Sequence, residues 1–130
     1  MTIAAKWQAS SGSSICELGN GTAQWQADLD APMGNPAIPN PHDLLDSALA
    51  ACTALTLQIY AKRKGYELQE VLVNVSHEET SGSYKMIRHV EVRGNFTAAI
   101  QEDLLRVANK CPVHKSLSAQ ITIDTTLNAA

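Results

Sequence analysis

Basic charge is in short supply in this chain. Ten Lys and Arg stand against thirteen Asp and Glu, a net charge of -3 over 130 residues, and the cations are scattered. A nucleic-acid surface needs them clustered, so nucleic acid is not an expected partner. The one basic run, Lys62-Arg63-Lys64, falls where a helix ends, and there it complements the negative end of the helix dipole. Met1 to Lys6 lacks the charged, then apolar, then small-residue layout of a secretory signal, which leads to the expectation of a cytoplasmic protein. A long apolar run free of polar residues is missing too. The most apolar stretch carries Asp46, Ser47, Thr53, Thr56 and Gln58, too polar for a bilayer span, so no membrane partner is expected. Cysteine is sparse, at three residues, too few for a disulfide framework in a chain of this kind. Catalytic, redox or inert roles remain for them.

What is present is enough apolar residue, 45 % of the chain, to build one core, and residues 1–130 read as one domain. Residues 1–30 read as three strands with one buried face. Ile3, Ala5 and Trp7 alternate with Ala4, Lys6 and Gln8, Ile15 to Leu18 follow, and Ala23, Trp25, Ala27 and Leu29 share a face. Asn20-Gly21 is the signal of a type I′ hairpin turn. Residues 31–41 hold Pro32, Pro36, Pro39 and Pro41 and cannot form a regular element. Asn40 as cap, Pro41 at the first helical position and Asp43 in the first turn open a helix that runs to about Lys64 and stops at Gly65. At about 1.5 Å per residue it is roughly 34 Å long. Being apolar on nearly every side, it is expected to pack against a second copy of itself. A long hairpin follows, with Val71, Val73 and Val75 on one face and Met86, Val90 and Val92 answering them after a Ser81-Gly82 turn. Thr97 caps a second helix with Ile100, Leu104, Val107, Ala108 and Cys111 on one stripe. Pro112 restarts a short helix with Cys111 as its cap, and residues 119–127 alternate as a last strand. The fold class is α+β, an antiparallel-rich sheet wrapped around one long central helix.

Two cysteines, Cys52 and Cys111, lie on inward helix stripes. Such a pair suits thiol redox work, in which one thiolate becomes a sulfenic acid and a second thiol condenses with it. The alternative is that both are small buried hydrophobes. An ordinary thiol is only about 3 % ionised at pH 7. Cys111, at a helix cap, gains from the free amides there. Cys52, deep in an apolar helix, gains nothing, so as a nucleophile it needs a cation or strong donor from elsewhere.

The run Asn40-Pro41-His42-Asp43-Leu44-Leu45 through Ala50-Ala51-Cys52 resembles the central-helix motif of the OsmC/Ohr family, the osmotically inducible and organic hydroperoxide resistance proteins. Cys111-Pro112-Val113, with the segment Ala119 to Asp124 after it, resembles that family's second cysteine motif. The resemblance implies an intertwined homodimer with sites at the subunit interface. It also implies thiol peroxidase activity on organic hydroperoxides, with Cys52 as peroxidatic cysteine, Cys111 as resolving cysteine, and an external dithiol as reductant. Large apolar hydroperoxides are the expected substrates, with Leu, Ile and Ala of the two central helices lining the pocket. The family's arginine from the N-terminal half, held by a glutamate after the helix-start proline, has no counterpart: His42 stands at the glutamate position, and the first arginine is Arg63.

His42 is a candidate to act across the dimer interface as a base or cation. Ten residues, about 15 Å of helix, separate it from Cys52 within one chain; the alternative is an exposed first-turn histidine. Arg88, His89 and Arg93 offer a cation as well, or simply a solvated hairpin face. A Cys111-x-x-His114 metal pair has no second pair to complete it, so neither a metal nor a cofactor is expected. Trp7 and Trp25 are expected in the core, and Cys16 half-buried in a strand. Two other functions stay open: a member of this fold that binds a small apolar ligand or senses oxidants without efficient turnover, and a structural dimer with inert thiols.

Overall fold

The computed structural model describes residues 2–129 and contains two antiparallel sheets and three α-helices. Residues 1–47 and 48–130 form two compact units.

In the first unit, strands β1 (Ala4–Lys6), β2 (Cys16–Gly19) and β3 (Gln24–Ala27) pair in that order as an antiparallel meander. The turn between β2 and β3 is not the tight I′ type that Asn20-Gly21 predicts. The last pair is Gly19 with Gln24, and among the described residues none other than glycine has positive φ. Instead the Asn20 side-chain oxygen accepts from the amides of Thr22 and Ala23 at 3.0 and 2.7 Å. That side-chain turn satisfies backbone donors without forcing Asn20 into the left-handed region. Trp7, expected in the core, is exposed, with its indole N–H donating to the Ser13 carbonyl. The proline-rich segment is held through Asp28. Its carboxylate accepts from the Asn35 amide, the Ser14 hydroxyl and the Leu29 amide, in that order of effect, and they hold it below the usual carboxylate range.

Helix α1 spans Pro41–Lys64. Asn40 and Asp43 cap each other: the Asp43 amide donates to the Asn40 side chain at 2.8 Å, and the Asn40 amide donates to the Asp43 carboxylate at 3.1 Å. This reciprocal box satisfies two otherwise orphaned donors. Gly65, at φ 73°, ends the helix where a side chain would be strained. An 18-residue window of α1 reaches a mean hydropathy of 1.4, enough by length and composition for a bilayer span, a test that core helices also pass. Burial is one-sided. Leu49, Thr53, Leu57 and Ala61 recur every four residues and are buried, whereas Leu55 and Ile59 are 56 % and 53 % exposed.

In the second unit, β4 (Glu67–Thr80) and β5 (Ser83–Asn95) form a long hairpin closed at Thr80 and Ser83. Its alternate residues pack toward α1 and α2 (Ala98–Ala108): Val71, Val90 and Val92 lie against a buried cluster of Leu57, Leu104, Val107 and Ala108. Thr97 caps α2 by accepting from the Ile100 amide. Asp103 of α2 accepts from the hydroxyls of Tyr60 and Tyr66 at 2.7 and 2.6 Å and pairs with Arg106. These bonds hold the Asp103 carboxyl far below its ordinary range, and they push the Tyr66 hydroxyl up to about 12. Helix α3 (Pro112–Ser118) restarts after Cys111 as the proline predicts. The strand expected over 119–127 does not form: no sheet edge within the described residues pairs with it, and Ile121, Ile123 and Leu127 are exposed. Alternation sets a strand's faces, but a strand also needs a neighbour.

Candidate active site

The site is built where α1, β5 and the start of α3 meet inside the second unit. Thr53 and Cys52 are consecutive on α1, so only one can face straight inward. Thr53 does and is fully buried; Cys52, at its shoulder, is half-buried rather than deep. Cys111 is the N-cap of α3 and 0 % exposed.

The proline restart aims two successive free amides at the two sulfurs. The Val113 N–H donates to Cys52 Sγ at 3.5 Å and the His114 N–H donates to Cys111 Sγ at 3.4 Å. Pro112 has no N–H, and the first amides of a helix have no internal acceptor. The two sulfurs are thus neighbours at the start of α3, and the Cys52 sulfur sits 3.9 Å from the Thr56 hydroxyl.

A cation completes the cluster, and it is Arg88. Its Nη1 donates to Thr53 Oγ1 at 3.1 Å and to Cys111 Sγ at 3.9 Å. Its Nη2 donates to Asn109 Oδ1 and meets His114 Nδ1, both at 2.9 Å. A guanidinium has no acceptor. His114 Nδ1 must therefore carry a lone pair, and its ring proton sits on Nε2. Burial pushes the Cys111 thiol up. The His114 amide, the Thr53 hydroxyl, the Cys52 thiol and the Arg88 charge act against burial and bring it below its ordinary value. Thr53 has one hydrogen and two acceptors, the Leu49 carbonyl at 2.7 Å and Cys111 Sγ at 3.8 Å. It can turn that hydrogen to the sulfur when Cys111 is charged.

Arg88 and His114 also line a cavity of about 250 Å³ with Leu49, Tyr84, Met86, Leu117 and Ser118. The apolar wall thus comes from α1, β5 and α3 of one chain. A carboxylate, hydroperoxide or alkoxide entering it meets donors on one side and hydrocarbon on the other.

Residues 34–126 match the model of the OsmC-like protein family. The chain belongs to the OsmC-like family. Solved structures agree on the fold. An OsmC-like protein from Mycoplasma pneumoniae is 23 % identical, with a TM-score of 0.72 over 89 % of this chain and 85 % of that one. The organic hydroperoxide resistance protein OhrB of Bacillus subtilis is 21 % identical, TM-score 0.60, over 90 % and 89 %. An organic hydroperoxide resistance protein of Elizabethkingia anophelis, with thiocyanate bound, is 20 % identical, TM-score 0.66, over 91 % and 89 %. No curated protein matches the chain at significance.

Set against the sequence, this OsmC-like chain brings Cys52 and Cys111 together and adds Arg88, Thr53, Asn109 and His114. His42 lies exposed in the first turn of α1. Of the three candidate cations on the hairpin, Arg88 is the one that reaches the site, and its parity on β5 is that of Met86, Val90 and Val92. An arginine in an inward apolar row needs an internal partner, and that was the available signal. His114, weighed as a metal ligand, holds the guanidinium instead; among the described residues no His, Cys, Asp and Glu group forms a metal cluster.

Proposed function

We propose that the chain is a thiol-dependent peroxidase that reduces organic hydroperoxides through Cys52 and Cys111. The observation that carries this reading is a pair of thiols that take the successive Val113 and His114 amides of one helix start, with the half-buried Arg88 guanidinium against one of them. Inert core cysteines do not need a cation, because a neutral thiol is already compatible with burial. OsmC-like family membership and structural neighbours named for organic hydroperoxide resistance support a peroxide-related redox role.

In this reading the Cys52 thiolate attacks the outer oxygen of ROOH. The S–O bond forms as the O–O bond breaks, and RO⁻ leaves and is protonated to ROH. The Cys111 thiolate then attacks the Cys52 sulfur, the disulfide forms, and hydroxide departs to become water. An external dithiol reduces the disulfide by exchange. The cavity wall of Leu49, Tyr84, Met86 and Leu117 favours an organic R group over hydrogen peroxide.

A homodimer is part of the proposal, with the exposed Leu55 and Ile59 face of α1 as its contact and the unpaired 119–127 segment as a strand awaiting a partner. The chain is expected to act in the cytoplasm. A second function, binding or sensing without turnover, is favoured by the missing N-terminal arginine; Arg88 gives the thiol pair a cation through Cys111 and so weakens that reading.

One equivalent of cumene hydroperoxide should remove two thiols per chain. The loss should vanish in Cys52→Ser, and mass mapping should join Cys52 to Cys111 and leave Cys16 free. Thiols that survive a large peroxide excess would sink the proposal. His42→Ala should slow the reaction if a partner's histidine reaches the site; an unchanged rate returns His42 to a first-turn surface residue.

A further inference from the structure

The arrangement of donors around the two sulfurs is unequal. Cys111 Sγ receives the His114 amide, faces the Thr53 hydroxyl and lies 3.9 Å from the Arg88 guanidinium, and Cys52, which takes the adjacent Val113 amide, is its neighbour. Cys52 Sγ receives one amide, from Val113, and faces the Thr56 hydroxyl. Arg88 spends Nη1 on Thr53 and Cys111 and Nη2 on Asn109 and His114. The more exposed sulfur is therefore the one without the cation. A nucleophile that must meet substrate and the charge that would activate it have been separated by one thiol.

We propose that Cys111 holds the resting negative charge of the pair, with Arg88 as counterion, and acts as the base that takes the Cys52 proton when a hydroperoxide arrives. The proposal rests on the peroxidase reading above and deepens it. At rest the Cys52 S–H donates to the Cys111 thiolate. The proton crosses to Cys111 as Cys52 attacks the peroxide, so the nucleophile becomes charged only as the S–O bond forms. The departing alkoxide takes that proton from Cys111, giving ROH. Cys111 is thereby returned to thiolate at the moment the Cys52 sulfenic acid exists. It attacks that sulfur, the S–O bond breaks, and hydroxide leaves. In sum, one thiol, one thiolate and ROOH give a disulfide, ROH and hydroxide, with charge and electrons in balance. One proton passes from Cys52 through Cys111 to the alkoxide, and the resolving step needs no further ionisation. The short lifetime of the sulfenic acid then follows from the geometry.

The charged and titratable groups that face Cys111 are Arg88 from β5 and Cys52 from α1. His114 of α3 reaches the sulfur with its backbone amide and meets Arg88 with its ring. The lowered Cys111 thiol is consistent with this arrangement. The sign for activity follows. The first step should hold its rate above the folded Cys111 value, which lies below that of an ordinary thiol, and fall as pH drops through it.

Thiolate absorbance near 240 nm, followed against pH in the reduced full chain without peroxide, tests the charge assignment. The low-pH thiolate should persist in Cys52→Ser and disappear in Cys111→Ser. Its midpoint should rise by about a unit or more in Arg88→Met and recover in part in Arg88→Lys. Serine keeps a capping oxygen for α3, and far-UV circular dichroism reports whether each variant folds. Persistence in Cys111→Ser with loss in Cys52→Ser overturns the proposal. Single-turnover oxidation tests the base. With cumene hydroperoxide at pH 7, Cys111→Ser should form the Cys52 sulfenic acid on the order of tenfold more slowly or worse, and its rate should climb with pH toward the range of an ordinary thiol. A first step as fast as in the unaltered chain makes Cys111 a resolver only and overturns the base role. The titration uses no peroxide, so failure of the peroxidase reading and failure of the charge assignment are separate results.

Discussion

At Arg88 two levels of the sequence disagree, and the disagreement is informative. Residue type says surface; the two-residue period of β5 says interior, between Met86 and Val90. The structure follows the period and satisfies the charge with Thr53, Cys111, Asn109 and His114. Thr53 is the most exposed to test. It accepts from the guanidinium and has a hydrogen to offer either the Leu49 carbonyl or the Cys111 sulfur. Thr53→Val keeps the shape and removes both functions. The thiolate midpoint should rise, and single-turnover oxidation at pH 7 should slow severalfold while the fold is retained. Oxidation at the unaltered rate in stopped-flow fluorescence would show that Thr53 only fills space.

At the scale of elements, α1 carries two different faces, and its composition alone does not separate them. The face of Leu49, Thr53, Leu57 and Ala61 is buried within the chain, and Leu57, at 0 % exposed, packs with Leu104, Val107 and Ala108 of α2. Leu57→Ala should cost roughly 2–5 kcal/mol, because deletion leaves a cavity among residues held by the Asp103 bonds to Tyr60 and Tyr66. Urea unfolding measures this directly, and a loss below about 1 kcal/mol would mean the helices collapse onto the gap. The short α3 shows why a boundary can be functional. Pro112 removes one amide and resets the helix, and the next two amides end on the two sulfurs.

At the scale of the whole molecule, the apolar surface left over points outward. Leu55 and Ile59 lie on the open face of α1, and residues 119–127 alternate with no strand beside them. A dimer should therefore be found by sedimentation at twice the chain mass, and Leu55→Glu with Ile59→Lys should shift it toward monomer. A monomer in the unaltered chain at micromolar concentration would remove the homodimer from the proposal.

The order of elements, the α1 cap and stop, the capping threonine of α2, the restart at Pro112 and the two candidate thiols were all legible in the sequence, because each follows from local rules acting over a few residues. The site was legible only in part. Periodicity put Cys52 and Cys111 on inward stripes, and the resemblance to a family named their roles. Neither could say which sulfur receives the cation, since that depends on how β5 lies across α1 and α3. The same holds for Trp7, for the Asn20 turn and for residues 119–127, where alternation was real but no partner strand stood among the described residues. Local pattern fixes which way a side chain points from its own backbone. Only the packing of one element on another determines what it meets, and here that decided that Arg88 stands beside Cys111 and not beside Cys52.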